Sequence, residues 1–266
     1  MRPGAVEPAR AVRQHRALVR QLRTLGAIVD IIPFVHGAYD SVFAKDSAVL
    51  LRRDGKDHGL MAQPLHPERR AEQGSRRATL ESRGFRIAPA PNTPLEGGDV
   101  VLRWGAGRPL GYLGHGFRSS RRSVRALERF LDVPIMPLEL RDPSLYHLDM
   151  AVAVLDEASL VCEEALTPQS MRDLKRVVGA DSIVRVPLAE ARLFALNFVK
   201  LPGHVVLASG APSFEKRLHA LGYATHGLPL SEFHFAGGSA ACLVARVHSM
   251  DRVVVSTTAA MRSTAA

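Results

Sequence analysis

The sequence predicts an α/β fold in which a unit of two strands, a helix and a strand recurs along the chain. Three observations predict it. Short β-branched apolar runs alternate with longer stretches carrying apolar residues at helical spacing. The unit returns about every 45–55 residues, and a fixed period of that size suggests a repeat architecture, with a radial arrangement as one form of it. No linker or low-complexity segment interrupts the 266 residues, so residues 1–266 read as one domain.

The elements follow in order. Pro8 to Leu25 reads as a helix, because Val12, Leu18, Val19, Leu22 and Leu25 lie on one face and Gly26 supplies a stop. Ala27–Ile32 reads as a short buried strand ending at Pro33. Ala48–Leu51, Gly59–Gln63 and Phe85–Ala88 read as strands, with one polar helix from Pro67 to Arg83 stopped by Gly84. Val100–Trp104 and Leu110–Leu113 read as a hairpin, Ser119–Leu131 as a helix and Val133–Leu138 as a strand. Asp149–Leu155 and Ser159–Cys162 are strands, Pro168–Val178 a helix and Ser182–Val186 a strand. Leu193–Val199 and Val205–Ala208 repeat the pattern, followed by the helix Ser213–Leu221 and the strand Tyr223–His226. Ala240–Val247 and Val253–Val255 are apolar and β-branched, which suggests two further strands.

Composition narrows the function. Lys plus Arg is 35 and Asp plus Glu 26, giving a net charge of +9. Most of the excess lies on stretches that read as solvated helix faces, such as Arg118, Arg121, Arg122, Arg125 and Arg129. With one Trp and four Tyr there is no platform for stacking bases, so a nucleic-acid partner is not expected. The positive field suits an anionic or carboxylate-bearing small molecule instead. Two cysteines exclude a disulfide framework and a Cys-rich zinc site. No stretch has the apolar length of a membrane span or a signal peptide, so the expectation is a cytoplasmic protein without a membrane partner.

Four places could carry chemistry. Cys242 follows the Gly237-Gly238 pair, which allows a tight turn before what reads as a strand; Cys162 reads as a small buried hydrophobe. Glu96-Gly97-Gly98-Asp99 offers two carboxylates on a turn. His147-Leu148-Asp149 places an imidazole and a carboxylate two residues apart, on one side if the segment is extended. Asp40 and Asp46 bracket an apolar stretch before a strand. A thiol, an imidazole and several acids together suit attack on a cationic sp² carbon. Carboxylates hold the N–H groups of a guanidinium, a thiolate attacks its carbon, and a His protonates the departing nitrogen and later activates water.

These motifs, with Arg118 in Gly-Phe-Arg-Ser-Ser and Ser231-Glu-Phe ahead of Gly-Gly and Cys242, come in the order of the guanidino-group-modifying (pentein) superfamily. The chain resembles that superfamily from about Ala11 to Arg246, and within it most resembles the dimethylarginine dimethylaminohydrolases. The resemblance implies a five-bladed, pseudo-symmetric α/β propeller with the active site on its axis. It implies Cys242 as nucleophile, His147 as general acid and base, and Glu96 as a carboxylate supporting His147. Asp46 and Asp40 would hold the guanidinium. Arg118 would pair with a substrate carboxylate, and Arg70, of the Arg69-Arg70 pair, is a second candidate for that task. No metal or organic cofactor is implied, and a homodimer is compatible with the family.

Three departures qualify the resemblance. Asp149 stands two after His147, as in arginine deiminases and amidinotransferases. A carboxylate there argues for a guanidinium with an N–H to give, since an unpaired buried carboxylate is costly. Lys45 replaces an acid. The usual first strand is absent ahead of the first helix, and Arg252–Ser256, within residues 250–258, is expected to fill its slot. The expected activity is hydrolysis of a guanidinium C–N bond of arginine or an N-methylated arginine. The alternatives are transfer of the amidino group to an amine, or a non-catalytic propeller that only binds.

Overall fold

The computed structural model describes residues 6–104, 109–156 and 158–250. The chain enters on α1 (Pro8–Thr24), which buries Leu18, Val19 and Leu22 along one stripe. Its last turn is closed by Gly26, whose φ of 86° is a conformation other residues adopt only with strain. The strand expected at Ala27–Ile32 does not form. A strand exists only where a neighbour pairs its backbone, and residues 27–32 have no ladder partner among the described residues. Ile28 and Ile31 are accordingly exposed beside a groove of about 820 Å³ that runs between α1 and the C-terminal strand.

Four units then share one topology. In the first, β1 (Ala48–Arg53) and β2 (Lys56–Met61) form an antiparallel hairpin. The chain crosses by α2 (Pro67–Arg70) and α3 (Gln73–Ser82) to β3 (Arg86–Ala88), parallel to β2. The single polar helix expected at Pro67–Arg83 is thus two, divided at Ala71 and Glu72. The second unit is β4 (Val100–Arg103), β5 (Leu110–His115), α4 (Val124–Leu131) and β6 (Ile135–Glu139). The third is β7 (Val152–Leu155), β8 (Ala158–Val161), α5 (Pro168–Val178) and β9 (Ile183–Arg185). After the short α6 (Leu188–Ala191), the fourth is β10 (Val199–Leu201), β11 (His204–Ala208), α7 (Pro212–Ala220) and β12 (Ala224–Leu228).

Helix α8 (Ser231–Ala236) and β13 (Val247–Ser249) close the described chain. β13 pairs in parallel with β1, Leu50 opposite Val247, and extends the first sheet to four strands. Two expected strands shrink: of Leu193–Val199 only Val199 is strand, and Ala240–Leu243 is a turn. Arg252–Ser256 lies outside the described residues.

The helices cover the sheets. Leu174 of α5, Phe214 of α7 and Leu160 of β8 are fully buried in the largest apolar cluster, which runs through the second, third and fourth units. Removing such side chains from water supplies about 1.5–3 kcal/mol each. The first strands of all four units, with residues 244–246, line one central cavity of about 140 Å³. Just ahead of each of these five segments the chain makes a short turn or 3-10 helix, and those turns converge.

Candidate active site

Each converging turn delivers a polar side chain. Asp46 precedes β1, Glu96 precedes β4, His147 precedes β7, Asn197 precedes β10, and Cys242 precedes the segment leading to β13. All five are buried.

Cys242 sits in the turn Ala240–Leu243, not on a strand. Asn197 clamps it from both sides: its amide Nδ2 donates to Sγ at 3.2 Å and its Oδ1 accepts the Cys242 N–H at 3.2 Å. The Cys242 carbonyl accepts the N–H of Lys45 at 3.2 Å. Burial pushes the thiol well above its ordinary range, and Asp149 and Asp46 push it further, while Lys45 works in the opposite direction. Asn197 carried no signal in the sequence, because its role depends on a residue 45 positions away.

His147 lies between two acids. Its Nε2 is 2.9 Å from Glu96 Oε2, and its Nδ1 is 3.7 Å from Asp46 Oδ1. Burial alone would lower the imidazole, but Asp46, the hydrogen bond to Glu96 and nearby Asp99 together raise it to about 9. The ring is therefore an imidazolium at neutral pH. Glu96 is fully buried; its Oε1 accepts the Leu65 N–H at 3.2 Å. Burial disfavours its charge, yet His147 and Arg118 hold its carboxyl below the usual range. Asp99 accepts the N–H groups of Ser119 and Leu148, and burial still lifts it to about 7.

The glycines of Glu96-Gly-Gly-Asp99 serve close approach rather than flexibility. A Cβ on Gly98 would lie 2.6 Å from both Asp46 Oδ1 and His147 Nδ1, and one on Gly97 would lie 2.0 Å from the Lys45 carbonyl oxygen. The Gly98 N–H donates to Asp46 Oδ1 at 2.8 Å, locking the carboxylate toward the imidazole.

The arginines divide differently from expectation. Arg118 lies with its guanidinium 4.6 Å above the Tyr146 ring and 3.5 Å from Glu96 Oε2. Arg70 does not reach the site: it points away and donates to the carbonyls of Pro64 and Leu65. Its neighbour Arg69 turns inward, donating to Asp46 Oδ2 at 2.6 Å and to Glu72. The break after α2 makes the difference, since Glu72 is itself buried and takes the Arg69 guanidinium with it. Asp40 borders the same small space as Cys242, His147, Asp46 and Arg118. Asp149 borders the central cavity instead, paired with Lys45 at 2.7 Å. Ser231-Glu232-Phe233 is structural: Glu232 accepts the Glu7 N–H and pairs with Arg10, fastening α8 to α1.

An internal cation thus sits on each of three buried carboxylates: Arg69 on Asp46, Arg118 beside Glu96, and Lys45 on Asp149. Only about 10 Å³ remains free among the groups around Cys242 and His147. Asp46, Glu96 and His147 also bring one ligand-type atom each within 4.8 Å of one another. Those atoms are a ring hydrogen-bonded to Glu96 and facing Asp46 at 3.7 Å, which is a charge-paired set and not an open set of metal donors. The arrangement offers a thiol, a proton donor and carboxylates able to receive a planar cation.

The chain is similar to proteins of known activity. The chain is 31% identical over 246 residues to N(G),N(G)-dimethylarginine dimethylaminohydrolase of Mycobacterium tuberculosis, covering 92% of this chain and 78% of that protein. It is 31% identical to the bifunctional arginine dihydrolase/ornithine cyclodeaminase AgrE of Nostoc, covering 90% of this chain but only 33% of that protein. The N-terminal domain of the cyanobacterial arginine dihydrolase ArgZ, solved with bound product, superposes with a TM-score of 0.85 at 28% identity, covering 92% of this chain and 88% of that one. The profile of N,N dimethylarginine dimethylhydrolase, eukaryotic, matches residues 3–249. The chain belongs to the dimethylarginine dimethylaminohydrolase family.

Proposed function

We propose that the chain hydrolyses a guanidinium C–N bond of arginine or an N-methylated arginine, with Cys242 as nucleophile and His147 as general acid and base. The products are citrulline and ammonia or an amine. One observation carries the reading: a buried thiol clamped by Asn197 shares its small space with an imidazolium held between two carboxylates.

The chemistry follows from those charges. At rest the thiol is protonated, because burial and two acids disfavour the thiolate. A guanidinium arriving beside Asp46 and Asp40 brings a positive charge next to the sulfur, and the thiol releases its proton to solvent water, leaving a thiolate. The sulfur then bonds to the central carbon. His147, already charged, protonates the departing nitrogen, and the C–N bond breaks to leave an amidino thioether. The neutral imidazole next takes a proton from water, whose oxygen bonds to that carbon. The C–S bond breaks, the departing sulfur takes up the remaining hydroxyl proton, and the ureido product leaves with thiol and imidazolium restored. Glu96 keeps His147 oriented through the 2.9 Å hydrogen bond. Arg118, with 16% of its side chain exposed, is the cation best placed to leave Glu96 and meet a substrate carboxylate.

Within this class, arginine itself or a singly substituted arginine fits best. Asp149 Oδ1 is buried and has no hydrogen-bond partner among the described residues, so it suits a nitrogen that still bears N–H. Water as the acceptor is supported by the relatives, which are named as hydrolases or dihydrolases. The five segments around one cavity support a five-bladed propeller as the finer description of the fold. Two free, buried cysteines are compatible with work in a reducing cytoplasm. The test is mass spectrometry of turnover with arginine, methylarginines, agmatine and guanidinoacetate, with and without glycine as an amine acceptor. Citrulline from arginine supports the reading; an amidino-glycine product, or no turnover of any guanidine, would sink it.

A further inference from the structure

We propose that Lys45 is a positioning residue of this site, holding Asp149 in place and setting the charge felt at the Cys242 sulfur. The proposal rests on the reading of Cys242 as nucleophile and deepens it.

Geometry carries the argument. Lys45 is bound to both partners at once: its backbone N–H donates to the Cys242 carbonyl, and its ammonium lies 2.7 Å from Asp149 Oδ2. The pair is largely withdrawn from water, with side-chain exposures of 22% and 5%. The 3-10 turn Ala44–Ser47 therefore presents two opposite charges side by side. Asp46 faces the imidazole, and Lys45 faces the wall of the central cavity beneath the cysteine turn.

Arg246 and His248 border the same cavity, Arg246 donating to the Lys200 carbonyl, and the other acids around the sulfur have cations of their own. Asp46 has Arg69 and His147, and Arg69 has Glu72 as well. Glu96 has His147 and Arg118, and the Tyr146 hydroxyl donates a hydrogen bond to the Gly237 carbonyl. Asp40 stands at the half-exposed rim of the space. Asp149 is the buried acid whose only ion-pair partner among the described residues is Lys45. Without that ammonium, an uncompensated carboxylate would remain near the sulfur. It would oppose the thiolate. With it, the Asp149 side chain stays oriented, one oxygen held and the other without a partner among the described residues.

A merely structural ion pair would change stability and leave the titration of the thiol alone. The experiment follows the rate of Cys242 alkylation by iodoacetamide from pH 6 to 10, in the full chain with Cys162→Ala as background. Lys45→Met is expected to move the profile up by about one pH unit, which slows alkylation about tenfold at neutral pH. Asp149→Asn is expected to move it down by a similar amount, the double variant to return near the starting profile, and Lys45→Arg to keep it. The pH profile of kcat/KM for arginine should shift in the same directions. Superimposable alkylation profiles for the parent, Lys45→Met and Asp149→Asn would overturn the proposal. Should Lys45→Met fail to fold, Asp149→Asn decides alone: an unshifted profile overturns the proposal, a downward shift upholds it. Turnover surviving in Cys242→Ser would overturn the nucleophile reading while leaving the alkylation result standing.

Discussion

The imidazolium at the centre of the site ties activity to stability through pH. His147 titrates at about 9 in the folded chain against an ordinary value of 6.5. The difference of about 2.5 units corresponds to roughly 3 kcal/mol of folding stability, at about 1.36 kcal/mol per unit. The raised value fixes the sign. This stabilisation is fully present below pH 6.5 and is lost as pH rises through 9. The lowered carboxyls of Glu96 and Asp46 express the same attraction from the other side, so it is counted once. Urea titrations at pH 6, 7.5, 9 and 10 measure it directly. The parent should lose about 3 kcal/mol more than His147→Asn does across that interval. Glu96→Gln should show an intermediate loss, because Asp46 still faces the ring. Parallel curves for the parent and His147→Asn would show that these acids do not hold a proton on the ring, and the role of His147 as initial proton donor would fall with it.

Other expectations follow from single contacts. Gly98→Ala places a methyl group against both His147 and Asp46, so kcat should drop about a hundredfold while the far-ultraviolet circular dichroism stays the same. Arg118→Ala should raise KM for arginine roughly 10–100-fold, the worth of a charged hydrogen bond to a carboxylate, and should spare agmatine, which lacks that group. Arg70→Ala, which removes a side chain turned away from the site, should leave both constants within twofold of the parent. Asn197→Ala should lower kcat at least tenfold while KM changes little, because the clamp acts on the sulfur and not on the bound substrate.

What could be read from the sequence was set by residue chemistry and local period. Cysteine, histidine and acids announce themselves by type, so Cys242, His147, Glu96 and Asp46 could be named before their distances were known. The hairpin β4–β5 and the strands β1, β2, β7 and β8 were legible because their apolar runs are local. Failures came where a partner distant in sequence decides the outcome. Residues 27–32 have the composition of a strand, but composition supplies no second strand to pair with. Arg69 and Arg70 are indistinguishable as letters; a helix break and a buried Glu72 decide which one turns inward. The Cys242 turn reads as strand because Ala240–Val247 is apolar but for Arg246, yet Asn197 holds the Cys242 backbone N–H, leaving no such donor there for a ladder.

The five polar side chains share a placement that explains why their spacing looks irregular in sequence while their meeting is regular in space. Each stands between two and five residues ahead of the strand or segment that lines the central cavity. A first strand must begin near the shared cavity to pack its apolar residues against the other first strands, as Val49, Val101, Ala153 and Val199 do. The backbone just before it therefore emerges at one end of that cavity, whatever its sequence. The repeat supplies the convergence, and the turns are free to carry whichever groups the chemistry needs: Asp46, Glu96, His147, Asn197 and Cys242 here. Changing a turn residue should then alter activity while the fold is kept, with a cost in stability where an ion pair goes with it, as at His147. Changing the packed residue that follows, as in Val101→Ala, should lower stability and leave the pH profile of kcat/KM where it was.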